Sequence, residues 1–503
     1  MTPTVTPSPS TPLSTLETLW EGDELRDALN AQIPAGMPAR VTGVSIDTRT
    51  LQPGNLFFAI HGGARDGHDF VRDALAKGAA AAVVDAAHAP ELAGAGPLYV
   101  VADVMAALTA CGGAARTRTN ARIVAVTGSV GKTSTKEALR LALAAQGAES
   151  TTHASVASYN NHWGVPLSLS RMPKRSRYGV FEIGMNAPEE IRPLSRLVRP
   201  HVAIITTVGP VHLEFFSSVE AIADAKGEIF SGLEPGGTAV INRDNAHFER
   251  LRQHATEAHA SHIVTFGEHE DADIRAVNIV ALPDLSVVEA RVFGMDVVYR
   301  VGAPGRHIAL NSLAVLAAVH ALEGDLALAM LALGNLRPPE GRGERVRLNG
   351  PEGSFLLIDE SYNANPASMQ AALDMLGQTD VGLRGRRIAV LSDMLELGTD
   401  SPELHRELAP FVMRNSIDRV YAAGPLMHEL WRTLPPELRG AYADTAQELE
   451  KHIPGALREG DVVMVKGSNG TRVSRIVTDL KQRFAELPAR AAHHHAIADS
   501  TAG

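Results

Sequence analysis

The stretch RIVAVTGSVGKTSTKEALRLALAAQ, residues 122–146, decides the fold. Arg122 to Val126 is a short β-branched run, a glycine-containing loop follows, and Ser134 to Gln146 reads as a helix ended by Gly147. A loop that joins a strand to a helix aims several backbone N–H groups and the positive end of the helix dipole at one point, which suits a highly charged anion. Gly128, Ser129, Val130, Gly131, Lys132, Thr133 and Ser134 are therefore read as a phosphate cradle. Its glycines admit a phosphate close to the backbone, Lys132 reaches the outer phosphates of ATP, and the Thr133 hydroxyl coordinates Mg²⁺. The spacing is not the common G-x-x-x-x-G-K-[ST]: Val126 holds the place of the first glycine, leaving a tighter G-x-x-G-K-T. A glycine-rich turn with an exposed lysine is the alternative, and the position between strand and helix speaks against it.

Working outward, strand candidates at Tyr178 to Ile183, Val202 to Val208 and Thr238 to Ile241 alternate with helical or loop segments. This argues for a mostly parallel sheet with covering helices. Glu182 stands near the end of one such strand, where a parallel sheet opens its ligand crevice, and is a candidate oxygen ligand for Mg²⁺; a solvated strand end is the other reading. Residues 274–301 alternate like β-ribbons, and His307 to Leu322 is an Ala- and Leu-rich helix. Upstream, from about Leu13 to Arg118, a mixed α/β unit places polar groups after its strands: Val41 to Ile46 leads into Asp47, Thr48 and Arg49, and Asn55 to Ile60 leads into His61, Asp66 and His68. Downstream of Gly341 the strand–helix alternation resumes at Phe355 to Ile358, after Pro366, at Arg387 to Leu391, after Pro402, at Arg419 to Ala422 and at Val462 to Val465. That pattern predicts a small doubly wound domain.

At 503 residues the chain is too long for one hydrophobic core. With 45% hydrophobic and 21% charged residues it has the composition of a soluble globular protein. The formal net charge is -10 and the basic residues are scattered, so no nucleic-acid groove is expected and small-molecule partners are. The single Cys111 excludes an intrachain disulfide and agrees with a reducing compartment, so a cytoplasmic location is expected. Met1 to Pro12 lacks a basic start and an apolar run, and no segment reaches the ~20 apolar residues that span a bilayer. No membrane insertion is expected, and a monomer is the expected state.

Taken together these motifs resemble the ATP-dependent Mur ligases of peptidoglycan synthesis over nearly the whole chain. The short loop GSVGKTSTK is their form. The segments ITTVGPVHLEFF (205–216) and ADAKGEIF (223–230) resemble the family's region in which a histidine and a carbamylated lysine support a second Mg²⁺, which implies His212 and Lys226. Without the resemblance Lys226 is an ordinary helix-surface lysine. The runs DESYNANP (359–366) and SDMLELG (392–398) resemble those of the members that add D-alanyl-D-alanine to UDP-N-acetylmuramoyl-tripeptide, and the DNPR-like motif of the preceding ligase is absent. The resemblance implies ATP and Mg²⁺ as cofactors, and the tripeptide and D-alanyl-D-alanine as partners. A ligase that adds another residue, or a folylpolyglutamate-type enzyme sharing the short loop, is the nearest alternative. Whether the tripeptide ends in diaminopimelate or lysine is left open.

Residue by residue, the resemblance implies that Asn311 contacts adenine, Asp359 the ribose hydroxyls and Arg342 an ATP phosphate. Asn311, Asp359 and Arg342 otherwise read as surface polar groups. Asp47, Thr48 and Arg49, with Asp66 and His68, are implied to hold the UDP end of the substrate, and Asn160 and Asn161 to lie near the muramoyl-peptide. Tyr362, Asn363, Asn365, Lys466 and Ser468 are implied to face the peptide or the incoming amine, although Asn469 stands where many relatives carry arginine. Lys132, His212, Lys226 and Arg342 form the implied catalytic set. The expected layout is α/β in three domains: a disordered leader (1–14), an N-terminal mixed α/β UDP-substrate domain (15–118), a central P-loop-type parallel-sheet ATP-binding domain (119–340), a C-terminal Rossmann-like domain (341–486) and a disordered tail (487–503).

Overall fold

The computed structural model describes residues 17–29, 31, 37–63, 65–147, 151–156, 158–211, 214–282 and 284–487. The expected leader, His212 and the tail from 488 onward, with its three consecutive histidines, lie outside them. Arg122–Thr127 is a strand whose residues after Arg122 are all buried, and Lys132–Ala144 is the helix that follows. The helix starts two residues before the position read from the sequence. Gly131, at φ 87°, serves as its N-cap, which brings Lys132 and Thr133 into the first turn.

This strand is flanked by Tyr178–Glu182 on one side and Val202–Ile205 on the other, both parallel to it. The sheet runs in the order Thr152–Ala154, Tyr178–Glu182, Arg122–Thr127, Val202–Ile205, Thr238–Asn242, His262–Gly267, Ile274–Ala281, Ser286–Val292 and Met295–Val301. It is parallel as far as Ile274–Ala281, and the last strands form the antiparallel ribbon that the alternating pattern predicts. Strands laid down later flank Arg122–Thr127 on both sides, so its carboxyl end is a topological switch point where a ligand crevice opens. The helix Arg306–Ala321 packs its apolar face, with Leu313 and Leu316, into the core that holds Val124, Val126, Leu139 and Phe266. Near-continuous apolar strands are what a sheet covered on both faces requires.

Val202–Ile205 stops short of the expected Val208 because the next residues bond elsewhere: Thr207 accepts from the Ser129 amide at 2.8 Å and Val208 from Asn245 Nδ2 at 2.9 Å. The chain leaves the sheet here to meet the phosphate loop.

A four-stranded parallel sheet precedes this one, ordered Gly43–Ser45, Asn55–Phe58, Ala81–Asp85 and Leu98–Val101. The single strand expected over 41–46 is divided: Arg40–Val41 pairs with Trp20–Glu21 and Gly43–Ser45 pairs with the Asn55 strand. The helix Val104–Thr117 covers it and carries Cys111, fully buried. Both sheets belong to one compact unit, which draws on the chain up to Gly209 and again from Phe215 to Leu336.

The second unit takes Pro210–Glu214 and the chain from Arg337 onward. Its sheet is ordered Arg439–Ala443, Arg419–Ala423, Arg387–Ser392, Val462–Lys466, Gly353–Glu360, Glu344–Gly350 and Ala485–Glu486. The first five strands are parallel and the last two are antiparallel to their neighbours. Apolar clusters on both faces, one around Leu373, Leu391 and Leu408 and one around Leu357, Val463 and Ile476, give it the doubly wound form read from the sequence. Among the described residues no helix is long and apolar enough to cross a membrane.

Candidate active site

The phosphate loop is held from several directions. A Cβ on Gly128, at φ 150°, would lie 1.9 Å from Thr206 Oγ1, and one on Gly131 would lie 2.3 Å from Asn311 Nδ2. Both positions admit only glycine without movement of a neighbour. Thr206 Oγ1 donates to the Val130 carbonyl at 2.6 Å, and Ser129 Oγ donates to the Gly209 carbonyl and accepts from its amide, each at 3.0 Å. Val126, which stands where the common pattern has glycine, is fully buried in the strand and pairs with Glu182 and Ile204, so the loop can begin only after Thr127. Lys132 Nζ donates to the Gly128 carbonyl at 2.6 Å, curling its ammonium over the loop. First-turn amides have no carbonyl acceptor within a helix, so they add donors to the same concavity.

Glu182 is 0% exposed. Thr133 Oγ1 donates to its Oε2 at 2.7 Å, Asn160 Nδ2 donates to its Oε1 at 2.7 Å, and Ser158 Oγ lies 3.3 Å from Thr133 Oγ1. Among the described residues no basic side chain pairs with this carboxylate. A buried carboxylate served by neutral donors is a site that a cation completes. Carboxylate and hydroxyl oxygens are the donor set of a hard ion, so the residues fit Mg²⁺.

Lys226 does not lie on a helix surface. On Val219–Gly227 it is 2% exposed, and burial together with the charge of Lys132 holds its amine well below the usual lysine range. An uncharged amine is the form that adds carbon dioxide, so the environment fits a carbamate. Asn311 is likewise buried, 9% exposed, against Gly131.

In the smaller sheet of this unit, Asp47 accepts from the Arg49 amide at 2.9 Å and from its guanidinium Nη2 at 2.6 Å, while Lys77 Nζ donates to the Thr48 carbonyl at 3.2 Å. Beside this corner lies a cavity of about 430 Å³, with Thr42, Thr50, Asn55, Tyr159 and Arg171 in its wall. Arg171 is anchored through Nε to the Val44 carbonyl at 2.7 Å. Asp66 and His68 bond each other, Nδ1 to Oδ1 at 2.6 Å, and His68 Nε2 accepts from the Asp85 amide at 3.2 Å. Both His68 nitrogens and Asp66 Oδ1 are therefore engaged within the fold. Asn160 meets Glu182, whereas Asn161 accepts at 2.9 Å from the amide of Gly164, the first residue of the helix Gly164–Ser170. Sequence reasoning missed Ser158, Tyr159, Arg171 and Thr206. Tyr159 directly precedes Asn160 and Asn161 and was within reach; the others carry no local signal.

In the second unit Asp359 is buried and accepts from the Gly341 amide at 3.2 Å, the Ser361 amide at 3.0 Å and Ser361 Oγ at 2.6 Å. The Arg342 guanidinium lies 4.0 Å from the centre of the Tyr362 ring. Lys466 Nζ donates to the Asn363 carbonyl at 3.0 Å and pairs with Glu360 at 3.4 Å; burial pulls its amine down and Glu360 opposes that. Asn365 caps the helix Pro366–Gln378 in a reciprocal capping box with Ser368. Ser468 Oγ accepts from the Leu395 amide at 2.9 Å, fixing one loop on the next.

A nucleotide-type loop, a buried carboxylate with the donor set of a hard cation and a doubly wound second unit define an ATP-using enzyme. The family models agree in register: "Mur ligase family, catalytic domain" matches residues 40–119, "Mur ligase middle domain" 126–319 and "Mur ligase, glutamate ligase domain" 341–469. The chain belongs to the Mur ligase family. It is 30% identical over 459 residues to the UDP-N-acetylmuramoyl-tripeptide–D-alanyl-D-alanine ligase of Rickettsia prowazekii, covering 91% of this chain and 99% of that one. To the ligase of the same name from Escherichia coli it is 31% identical over 460 residues, covering 91% and 98%. Among solved structures, MurF from Acinetobacter baumannii superposes with a TM-score of 0.78 at 29% identity, over 92% of this chain and 99% of that one. MurF ligase from Thermotoga maritima in complex with ADP gives 0.70 at 25% identity, over 88% and 98%.

Proposed function

We infer that this chain joins D-alanyl-D-alanine to UDP-N-acetylmuramoyl-tripeptide at the expense of ATP, giving the pentapeptide, ADP and phosphate. The observation that carries the reading is the buried Glu182, bonded to Thr133 and Asn160 beside the phosphate loop, in a chain aligned nearly end to end with ligases of this activity.

A carboxylate is a poor acyl donor. The tripeptide's terminal carboxylate attacks the γ-phosphorus of ATP, the bond to the ADP oxygen breaks, and an acyl phosphate forms. The dipeptide amine then attacks the acyl carbon, phosphate departs with the bonding pair, and the amine gives up its proton. The protein contributes mainly position and charge. The loop amides and Lys132 gather the phosphates, and Thr133 and Glu182 present oxygens for Mg²⁺. Bound there, Mg²⁺ supplies positive charge against the repulsion between two anions. Lys226, as a carbamate, and His212 are assigned to a second Mg²⁺. Carbamate formation joins the neutral amine nitrogen to carbon dioxide and releases one proton, replacing a buried neutral amine with an anion.

The further assignments follow the family. Asn311 is given to adenine, Asp359 to the ribose hydroxyls and Arg342 to phosphate. Asp47, Thr48 and Arg49, with the neighbouring cavity, are given to the UDP end, as are Asp66 and His68, whose part is to shape the loop they brace. Asn160 and Asn161 are placed near the muramoyl-peptide, and Tyr362, Asn363, Asn365, Lys466 and Ser468 near the peptide or amine, with Asn365 acting through the helix it caps. We assign the domains as 15–118, 119–340 and 341–486, and the location as cytoplasmic, where ATP and UDP-linked precursors are found.

The test is phosphate release by the purified chain with ATP, Mg²⁺, the UDP-tripeptide in its diaminopimelate and lysine forms, and D-alanyl-D-alanine or single amino acids. Release that needs both a tripeptide and the dipeptide is expected, and release that needs neither refutes the reading.

A further inference from the structure

Outside the phosphate site, five titratable side chains converge where the His61–Asp66 loop meets the end of the strand Ala81–Asp85. His61 Nδ1 lies 3.2 Å from Asp66 Oδ2, and His88 Nε2 lies 3.7 Å from the same oxygen. The rings of His68 and His88 are stacked, with centroids 4.0 Å apart and planes at 14°. Asp66, His68 and His88 each bring a donor atom within 4.8 Å of the others.

The hydrogen bonds sort the group into ligands and supports. His88 Nδ1 bonds Asp85 Oδ1 at 2.8 Å; a carboxylate can only accept, so Nδ1 carries the proton and Nε2 of the neutral ring keeps its lone pair. That lone pair faces Asp66 Oδ2, which accepts only, across a gap too long for a hydrogen bond. Two donors on a tetrahedral ion with bonds of about 2.0–2.2 Å lie about 3.3–3.6 Å apart, close to the separations seen from Asp66 Oδ2 to His61 and His88. His68 is different: its Nδ1 serves Asp66 Oδ1 at 2.6 Å and its Nε2 accepts from the Asp85 amide at 3.2 Å. Asp85 behind His88 and His68 behind Asp66 are the outer partners that orient metal ligands.

We propose that Asp66 Oδ2 and His88 Nε2 form the core of a binding site for a Zn²⁺-class ion, with the exposed His61 exchanging its hydrogen bond to the same Asp66 oxygen for the ion, and with His68 and Asp85 as positioning residues. Two imidazoles and one carboxylate suit a borderline ion and not Mg²⁺, which prefers oxygen and retains its waters. The site clips the loop 61–66 to the turn after Asp85, adding to the hydrogen bond from the Asp85 amide to His68 and to the His68–His88 ring stack.

The experiment uses the full chain with His493, His494 and His495 changed to alanine, which removes the tail as a competing chelator. Excess Mg²⁺ occupies the oxygen sites while Co²⁺ is titrated and its visible absorption recorded. One Co²⁺ per chain with the absorption of a four- or five-coordinate ion is expected, displaced by Zn²⁺, and Zn²⁺ should raise the thermal midpoint. H88Q should abolish the absorption and the midpoint rise, and D85N should weaken binding about 10- to 100-fold. His88 is part-exposed, and an unchanged midpoint without metal establishes that H88Q is folded. Binding that is absent from the parent, or equal in parent, H88Q and H61Q, overturns the proposal and leaves a proton as the occupant of the gap.

Discussion

Thr133 Oγ1 donates to Glu182 Oε2 across 2.7 Å, tying the first turn of the loop helix to the end of the neighbouring strand. Both are proposed oxygen ligands of one Mg²⁺. Glu182→Gln keeps the volume and removes the charge, so turnover should fall roughly 10²- to 10³-fold while the thermal midpoint stays near that of the parent. Phosphate release and a melting curve on one preparation decide this, and parental turnover in E182Q would sink the metal-ligand assignment.

The buried amine of Lys226 leads to a second expectation. Enzyme prepared free of carbon dioxide should be slow and recover when bicarbonate is added, and ¹³CO₂ should give a carbamate resonance that K226A lacks. Short carboxylates such as formate should partly restore K226A. No dependence on bicarbonate, together with no such resonance, would leave Lys226 as a buried lysine without this role.

The two loop glycines fail on both counts when changed. Gly128→Ala drives a methyl into Thr206 Oγ1 and Gly131→Ala into Asn311 Nδ2, and each also takes a positive φ, 150° and 87°, that alanine disfavours. Both variants should lose ATP binding in a nucleotide titration. Lys132→Ala should instead bind more weakly, keep its fold and lose ligation. Normal ligation by K132A is the outcome that contradicts a phosphate-handling lysine.

Acid should destabilise this fold through histidines held neutral. Burial, aided by the charges of Arg116 and Arg122, pulls His201 down to about 4, and its Nδ1 accepts from the Ile123 amide at 2.9 Å, a bond that protonation abolishes. Burial also pulls His153 to about 4, against the opposing effect of the Ser168 carbonyl. The unfolded chain, with histidine near 6.5, takes up these protons first, so this stability is complete above about 6.5 and is lost as pH falls toward about 4. Thermal midpoints across that window should drop, and His201→Gln should flatten the slope. Equal slopes in parent and variant would count against it.

Cys111 offers a reporter. Burial raises its thiol to about 12, so an aromatic disulfide reagent should leave the native chain untouched and label it once on unfolding. Rapid labelling under native conditions would show that the helix Val104–Thr117 opens locally.

Much of this was legible before any coordinates. The strand at Arg122, the loop and its helix announce themselves because β-branched runs, glycines and helix periodicity are local properties, and Asn365-Pro366 with Ser368 spells a helix start. Lys226 was not legible: whether a helical lysine faces water or core depends on what packs against it. Thr206 and Ser158 are invisible for the same reason, since their partners Val130 and Thr133 lie far along the chain. Val202–Ile205 was overextended because apolar β-branched residues continue past the point where hydrogen bonds to Ser129 and Asn245 take over.

The contact between Gly131 and Asn311 links two parts of the chain that are far apart in sequence. On the proposed assignment of Asn311 to the base and of the loop to the phosphates, the packed helix pair would set the span between the two and act as a ruler. Nucleotides would then be selected by length as well as by charge, with adenosine tetraphosphate or a shortened analogue fitting one end of the gauge better than the other.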